Sequence, residues 1–170
     1  QEHIIIDFDN NEYLKGIENL GELYNAILYK KVLSIRYKPF EQENIYTITF
    51  HPYYLKQYNN RWFVFGYNPE HKMYNWNLAI DRIVDFKESK SKYQINTEIE
   101  WETYFEDIVG VTKPTKGNVE TIKLEFFGKT AKYIYSKPIH GSQVAKWIDK
   151  DTLSVSLKVI QNYELERILL

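Results

Sequence analysis

The stretch from Val32 to Glu88 reads VLSIRYKPFEQENIYTITFHPYYLKQYNNRWFVFGYNPEHKMYNWNLAIDRIVDFKE, and its apolar residues recur with a period of two. It breaks into five short runs: Val32–Tyr37, Tyr46–Phe50 continuing toward Tyr54, Trp62–Tyr67, Tyr74–Ile80 and Ile83–Glu88. Each is rich in the β-branched and aromatic residues that suit a pleated surface, so each is expected to be a strand. The breaks hold turn chemistry, namely Lys38-Pro39, Tyr58-Asn59-Asn60-Arg61 and Asn68-Pro69-Glu70, which lets consecutive strands lie antiparallel. In the third run, residues 61, 63, 65 and 67 share one face and 62, 64 and 66 the other. Both sets are largely aromatic or apolar, so this strand is expected to be buried on both sides, with Trp62 a core anchor.

Working outward, Ile17, Leu20, Leu23, Tyr24, Ile27 and Leu28 recur at steps of three and four, the stripe of an amphipathic helix ending near Lys30 and Lys31. One helix followed by five short strands predicts a small curled barrel of the SH3 or Sm type, which removes exposed edges by closing on itself. Residues 1–15 show no sustained period and read as a linker or arm; the start at Gln1 suggests a piece of something longer. Residues 96–118 read as a helical linker, with a helix over Glu100–Ile108 and then Gly110, Pro114 and Gly117. The remainder, 119–170, follows the order strand (Thr121–Phe127), helix (Thr130–Tyr135), strand (Ser142–Asp149), strand (Thr152–Ile160), helix (Tyr163–Leu170). That βαββα order lacks one strand of the split βαβ pattern of a ferredoxin-like domain. The fold class is therefore α+β, with a barrel domain over 16–95 and a second domain over 119–170.

Composition narrows the function. Apolar residues make up 44% and charged residues 26%, a globular balance, and 15 Tyr, 9 Phe and 4 Trp supply flat faces for stacking. The net charge of −1 gives the whole molecule no general attraction for nucleic acid. Locally the balance shifts: Lys30, Lys31, Arg36, Lys38, Lys56 and Arg61 face only Glu41 and Glu43 within residues 28–67, whereas residues 97–108 hold five acids and no base. The absence of cysteine excludes disulfides, thiolate nucleophiles and cysteine-bound zinc, and suits a cytoplasmic setting. No apolar run approaches the roughly 18 residues that span a bilayer, and no signal peptide is visible, so no membrane role is expected.

Three segments in order, His51-Pro52-Tyr53-Tyr54-Leu55, Arg61-Trp62-Phe63-Val64 with Gly66-Tyr67 behind it, and Leu78-Ala79-Ile80-Asp81-Arg82-Ile83, resemble the hallmarks of the WYL domain. The resemblance covers residues 17–90, and residues 119–170 look like the C-terminal WCX extension that often follows this domain in bacterial transcriptional regulators. It implies a non-enzymatic sensor that binds an effector, with nucleotides or single-stranded oligonucleotides as candidates. It also implies a signal to an N-terminal helix-turn-helix head that meets promoter DNA and is not visible in this sequence. The name-giving Trp-Tyr-Leu is Trp62-Phe63-Val64 here, so no hydroxyl contact carries over to Phe63. Trp76 and Ala79 stand where many relatives place arginines, which implies a less basic pocket.

For ligand binding, the sequence offers Arg82, whose planar guanidinium suits phosphate or carboxylate, with Asp81 beside it as a strand-end anchor. His51, before Pro52 at a strand end, is a candidate donor to phosphate that shares an opening with Arg82. Tyr53 and Tyr54 point to opposite faces, so whichever is exposed is a candidate stacking face, with Tyr67 a further candidate ligand contact and Arg61 a second cation. Pro52, Trp62, Phe63, Val64 and Asp81 form the structural part of the motif. No nucleophile elbow, His-Glu-x-x-His or phosphate-cradling glycine loop is present, and His3, His51, His71 and His140 are scattered, so no enzyme, metal or cofactor is expected. The competing expectation is a protein-interaction module that dimerises the regulator, resting on the amphipathic helices and the acidic run at 97–108.

Overall fold

In this computed structural model residues 16–170 are described, and the arm expected over residues 1–15 lies outside them. The described chain is α+β, with two antiparallel sheets and a few helices, and it divides into two units at Ile99/Glu100.

In the first unit a 3-10 turn, Ile17–Asn19, leads into helix α1, Leu20–Leu28. Five strands follow: β1 Leu33–Tyr37, β2 Tyr46–Tyr58, β3 Arg61–Asn68, β4 Met73–Ala79 and β5 Ile83–Glu88. They form one sheet in the order β4-β3-β2-β1-β5, with every adjacent pair antiparallel. In a flat sheet, β4 and β5 would stand four strand spacings apart, about 19 Å. The chain joins them through a single 3-10 turn, Ile80–Arg82, and the four residue steps from Ala79 to Ile83 reach at most about 14 Å. The sheet must therefore curl. Tyr37 ties the curl across the middle: its hydroxyl accepts the backbone N–H of Ala79 at 3.1 Å, joining β1 to the end of β4.

β2 is one continuous strand with two partners. Tyr46–Phe50 pairs with β1 and His51–Tyr58 with β3, and the register slips between Pro52 and Tyr54. Proline has no N–H for the ladder, so a bulge is where a central strand tolerates it. The hairpin to β3 turns on Asn59 and Asn60, both at positive φ (51° and 62°), as a two-residue reversal with the twist of its strands requires.

Leu23 and Ala26 of α1 pack with Leu33, Ile35, Ile48, Phe50, Val64, Leu78 and Ile80, and Trp62 and Trp76 close the margin half-buried. Val64 and Phe65 are both fully buried, one on each face of β3. The helical stripe is narrower than its spacing predicts. Leu23 is buried, but Ile17, Tyr24 and Leu28 are exposed, and Ala26 takes the inward position instead. Gly66 is fixed by close approach, since a Cβ there would stand 2.2 Å from the carbonyl oxygen of His51 and 2.7 Å from the Phe50 ring.

The second unit opens with α2, Trp101–Tyr104, a single turn where the sequence predicts a helix over Glu100–Ile108. The residues that follow bend inward rather than continuing the helix: Ile108, Val109 and Val111 are buried. They are held by Asn162, whose amide donates to the carbonyls of Val109 and Thr112, and by Glu164, whose Oε1 accepts the N–H groups of Val111 and Thr112. Glycine at 110 suits this bend, with φ of 75° and a would-be Cβ 2.6 Å from Glu164 Cγ. β6 (Glu120–Phe127), α3 (Gly128–Ser136), β7 (Val144–Trp147), β8 (Thr152–Val159) and α4 (Tyr163–Leu169) then follow. The sheet order is β6-β8-β7, and β8 runs antiparallel to both neighbours. Leu153, Val155, Leu157 and Val159 alternate into the core with Ala131 and Ile134 of α3.

Candidate functional site

β3 has two ends of different chemistry, and the residues singled out by sequence divide between them. At its start, the Asn59-Asn60 reversal sets Arg61 opposite Tyr58. From there the guanidinium reaches Asp81 in the 3-10 turn, with Nε 3.2 Å from Oδ1 and Nη2 2.9 Å from Oδ2. The two side chains are only 20% and 7% exposed, so this is a forked, charge-assisted contact shielded from water. Asp81 is an anchor, as its place in the motif suggests, but its partner lies twenty residues upstream rather than next door. Arg61 also lies over Phe63, 5.4 Å from the ring centroid, so it is a fastened cation rather than a solvated one.

Arg82 has different surroundings. Its guanidinium carbon lies 4.7 Å from the centroid of Phe40, in the β1–β2 loop, and that phenylalanine is 76% exposed. Its carbonyl accepts the N–H of Lys38 at 3.0 Å, which fastens the same loop to the 3-10 turn. Tyr37 stands near enough to sense the cation: burial raises its phenol pKa, while the Ala79 hydrogen bond and Arg82 work against that rise. Among the described residues, no carboxylate forms an ion pair with Arg82. This end therefore presents one fixed ion pair and, beside it, a cation resting on an open aromatic face.

At the other end of β3, Tyr67 pairs with His51 across the ladder, and their rings stand 5.4 Å apart. Tyr74 of β4 lies 4.4 Å from Tyr67 and stacks on Tyr53 at 6.4 Å. The chain leaving β5 closes over this row. Tyr93 donates to the Pro52 carbonyl at 2.7 Å, Tyr53 donates to the Gln94 carbonyl at 2.6 Å, and the Gln94 N–H donates to His51 Nδ1 at 2.9 Å. An accepting Nδ1 places the proton of a neutral ring on Nε2. The ring is only 4% exposed, and burial lowers its pKa. Burial pushes the Tyr93 phenol up to about 12 and, with the neighbouring Tyr93, Tyr74 and Tyr67 hydroxyls, takes Tyr53 further still.

These positions correct one expectation. His51 and Arg82 do not share an opening: Phe63 pairs with Ala79, just before the 3-10 turn, while Tyr67 pairs with His51. Four extended residues, about 13 Å, separate the two ends. The register sets this, because β2 runs past β3 with its bulge at the far end. His51 is enclosed, so the exposed phosphate donor expected from sequence is not presented to solvent. His51, Pro52, Tyr53 and Tyr67 are brought together as one aromatic cluster; Arg61, Asp81 and Arg82 are brought together at the opposite end. Trp62, Phe63 and Val64 lie between as strand packing. Sequence reasoning did not select Phe40, Tyr74, Tyr93 or Gln94. Tyr74 alternates with the strand and was available to it, whereas the other three lie in aperiodic segments, and Gln94 acts through backbone groups, which leave no side-chain pattern.

Among solved structures, proteasome accessory factor B/C (PafBC) of Arthrobacter aurescens is similar over 91% of this chain at 13% identity, with a TM-score of 0.44. The chain spans 22% of that protein's length. Comparison with curated proteins gives no match. Residues 18–88, from α1 through β5, match the family model of the WYL domain.

Proposed function

We propose that this chain is the effector-sensing, non-enzymatic region of a cytoplasmic transcriptional regulator. Its ligand is anionic (a nucleotide, a single-stranded oligonucleotide or another small anion) and binds where Arg82 rests on Phe40. The observation behind this reading is a guanidinium held on an exposed ring, with no ion-paired carboxylate among the described residues, inside a stretch similar to the WYL domain. A planar guanidinium offers paired N–H donors to phosphate or carboxylate, and the ring beside it offers a stacking face. Arg61 supports the site by fixing Asp81 and, through it, the 3-10 turn. Promoter DNA is met by a separate head, outside this chain, to which the signal passes.

The architecture supports the same reading. A five-stranded antiparallel sheet that curls is compatible with the proposed Sm or SH3-like barrel, and the β6-β8-β7 order with the proposed ferredoxin-like, WCX-type extension. The test is a thermal melt against a panel of nucleotides and short single-stranded oligonucleotides at low and high salt. Ligand raises the melting temperature at low salt, less so at high salt, and not in Arg82→Ala. A panel with no effect rejects the reading.

A second reading, dimerisation without a small ligand, is favoured by one observation. Tyr24, Leu28 and Tyr29 of the α1 region are 57%, 56% and 66% exposed, beside a cleft of about 350 Å³ that runs between α1 and β5. Sedimentation over a wide concentration range decides it: a dimer supports self-association, and a monomer throughout rejects it.

A further inference from the structure

The segment after β5 treats the Tyr67 end of β3 as a docking surface. Of its residues, Tyr93 and Gln94 make three hydrogen bonds to β2 within two positions, with the Pro52 carbonyl, the Tyr53 hydroxyl and His51 Nδ1. The Tyr93 ring stands edge-on to Tyr53 at 5.9 Å and tilted to His51 at 5.8 Å. Immediately beyond, the chain closes on itself: Asn96 Oδ1 accepts the N–H groups of Glu98 and Ile99, and its amide donates to the Ile99 carbonyl. The next residue, Glu100, begins the second unit. The covalent connection from one unit to the other therefore includes a short segment clamped to an aromatic row by one imidazole lone pair and two phenols.

We infer that Tyr93–Gln94 is a releasable latch on the tether between the two units, opened when His51 takes up a proton. The Gln94 N–H donates to Nδ1, and an imidazolium carries hydrogen on both nitrogens, so protonation turns this acceptor into a donor facing a donor. The groups that face the ring are the phenols of Tyr67 on β3 and Tyr93 on the segment, together with the Gln94 amide; no carboxylate among the described residues pairs with it. Among the described residues the cation thus gains no compensating carboxylate in the closed state. The buried, neutral ring agrees with this, since burial holds its pKa below the ordinary value. Opening frees residues 90–94 to join the tether, beyond Ser89, whose N–H stays bonded to the Val32 carbonyl, and uncovers Tyr53, Tyr67 and Tyr74, while the main core on the other face of the sheet stays closed.

Hydrogen exchange of the whole chain, corrected for the intrinsic effect of pH, tests the latch. Between about pH 7.5 and about pH 5, Gln94 N–H protection falls by about tenfold or more while the β1 amides keep theirs. Protection of Gln94 that is unchanged, or lost only together with β1, overturns the inference. Because His51 variants can fail to fold, Tyr93→Phe provides the second arm at neutral pH. It removes one hydroxyl bond, and trypsin then cuts after Lys92 several-fold faster than in the unsubstituted chain. Equal cutting rates overturn the latch as a structure held by these bonds.

Discussion

The two ends of β3 look alike in the sequence, each with aromatics and a basic residue type close by, yet they are finished in opposite ways. At the Arg61 end the contacts are ionic, Asp81 is satisfied by a partner twenty residues away, and Arg82 is left on an open phenylalanine. At the Tyr67 end the contacts are phenolic and imidazole, and the chain itself supplies the cover. One end thus keeps an exposed aromatic face beside a cation, and the other is covered by the chain itself. Residue type alone does not separate them; what separates them is which backbone segment returns to each end.

The comparison can be broken most severely in the middle of the strand that joins the two ends. Gly66→Ala forces a methyl against the His51 carbonyl and the Phe50 ring, and is expected to cost about 3 kcal/mol or more, removing both ends together. Urea denaturation measures it, and a loss below about 1 kcal/mol contradicts the close approach. Next in size, Asp81→Ala removes the forked carboxylate contact of a largely shielded Arg61 and is expected to cost about 2 kcal/mol. Its effect belongs to the ionic end, so Gln94 amide protection should persist at neutral pH; a loss there would show that the two ends are not separate.

Acid sharpens the comparison from the other side. The folded pKa of His51 lies below its unfolded value of about 6.5, because burial disfavours the charged ring. The unfolded chain therefore binds more protons as pH falls through that value. The stability contributed by His51 is complete above about pH 6.5, declines as pH drops toward the folded pKa, and is constant below it. Denaturation midpoints between about pH 7.5 and about pH 5.5, above the main carboxylate range, should fall on acidification, and a flat or rising profile contradicts the enclosed neutral ring. The smallest effect is expected from Arg36→Ala, which breaks an ion pair of 2.6 Å to Asp85 whose side chains are 49% and 56% exposed. Such exposed pairs contribute about 0.2–1 kcal/mol, so a larger loss in denaturation would show that β1–β5 pairing depends on it.

Much of this fold could be read before any coordinates. Period-two alternation located all five strands of the first unit, and the Asn59-Asn60 and Pro69 turns set their antiparallel neighbours, because both signals are local. The βαββα order of the second unit followed from the same logic. The helix over Glu100–Ile108 was misjudged because spacing is blind to competing long-range partners: Asn162 and Glu164 bind the backbone of residues 109–112 and draw the chain inward. The basic excess over residues 28–67 was real in sequence but is offset in space, where Lys31 meets Glu88, Arg36 meets Asp85 and Arg61 meets Asp81. The grouping of the site residues was not legible, since no local pattern reports that β2 bulges at Pro52 or that Gln94 folds back onto His51.

The proposed function requires an anionic ligand at the Arg82–Phe40 end and not at the Tyr67 end. Amide NMR of the chain titrated with a short single-stranded oligonucleotide at low salt distinguishes the two. Shifts should cluster on residues 38–40, 60–61 and 81–83, shrink as salt is added and be absent in Arg82→Ala. Shifts centred on residues 51–53, 67, 74 and 93–94, or no shifts with any anionic ligand, would contradict it.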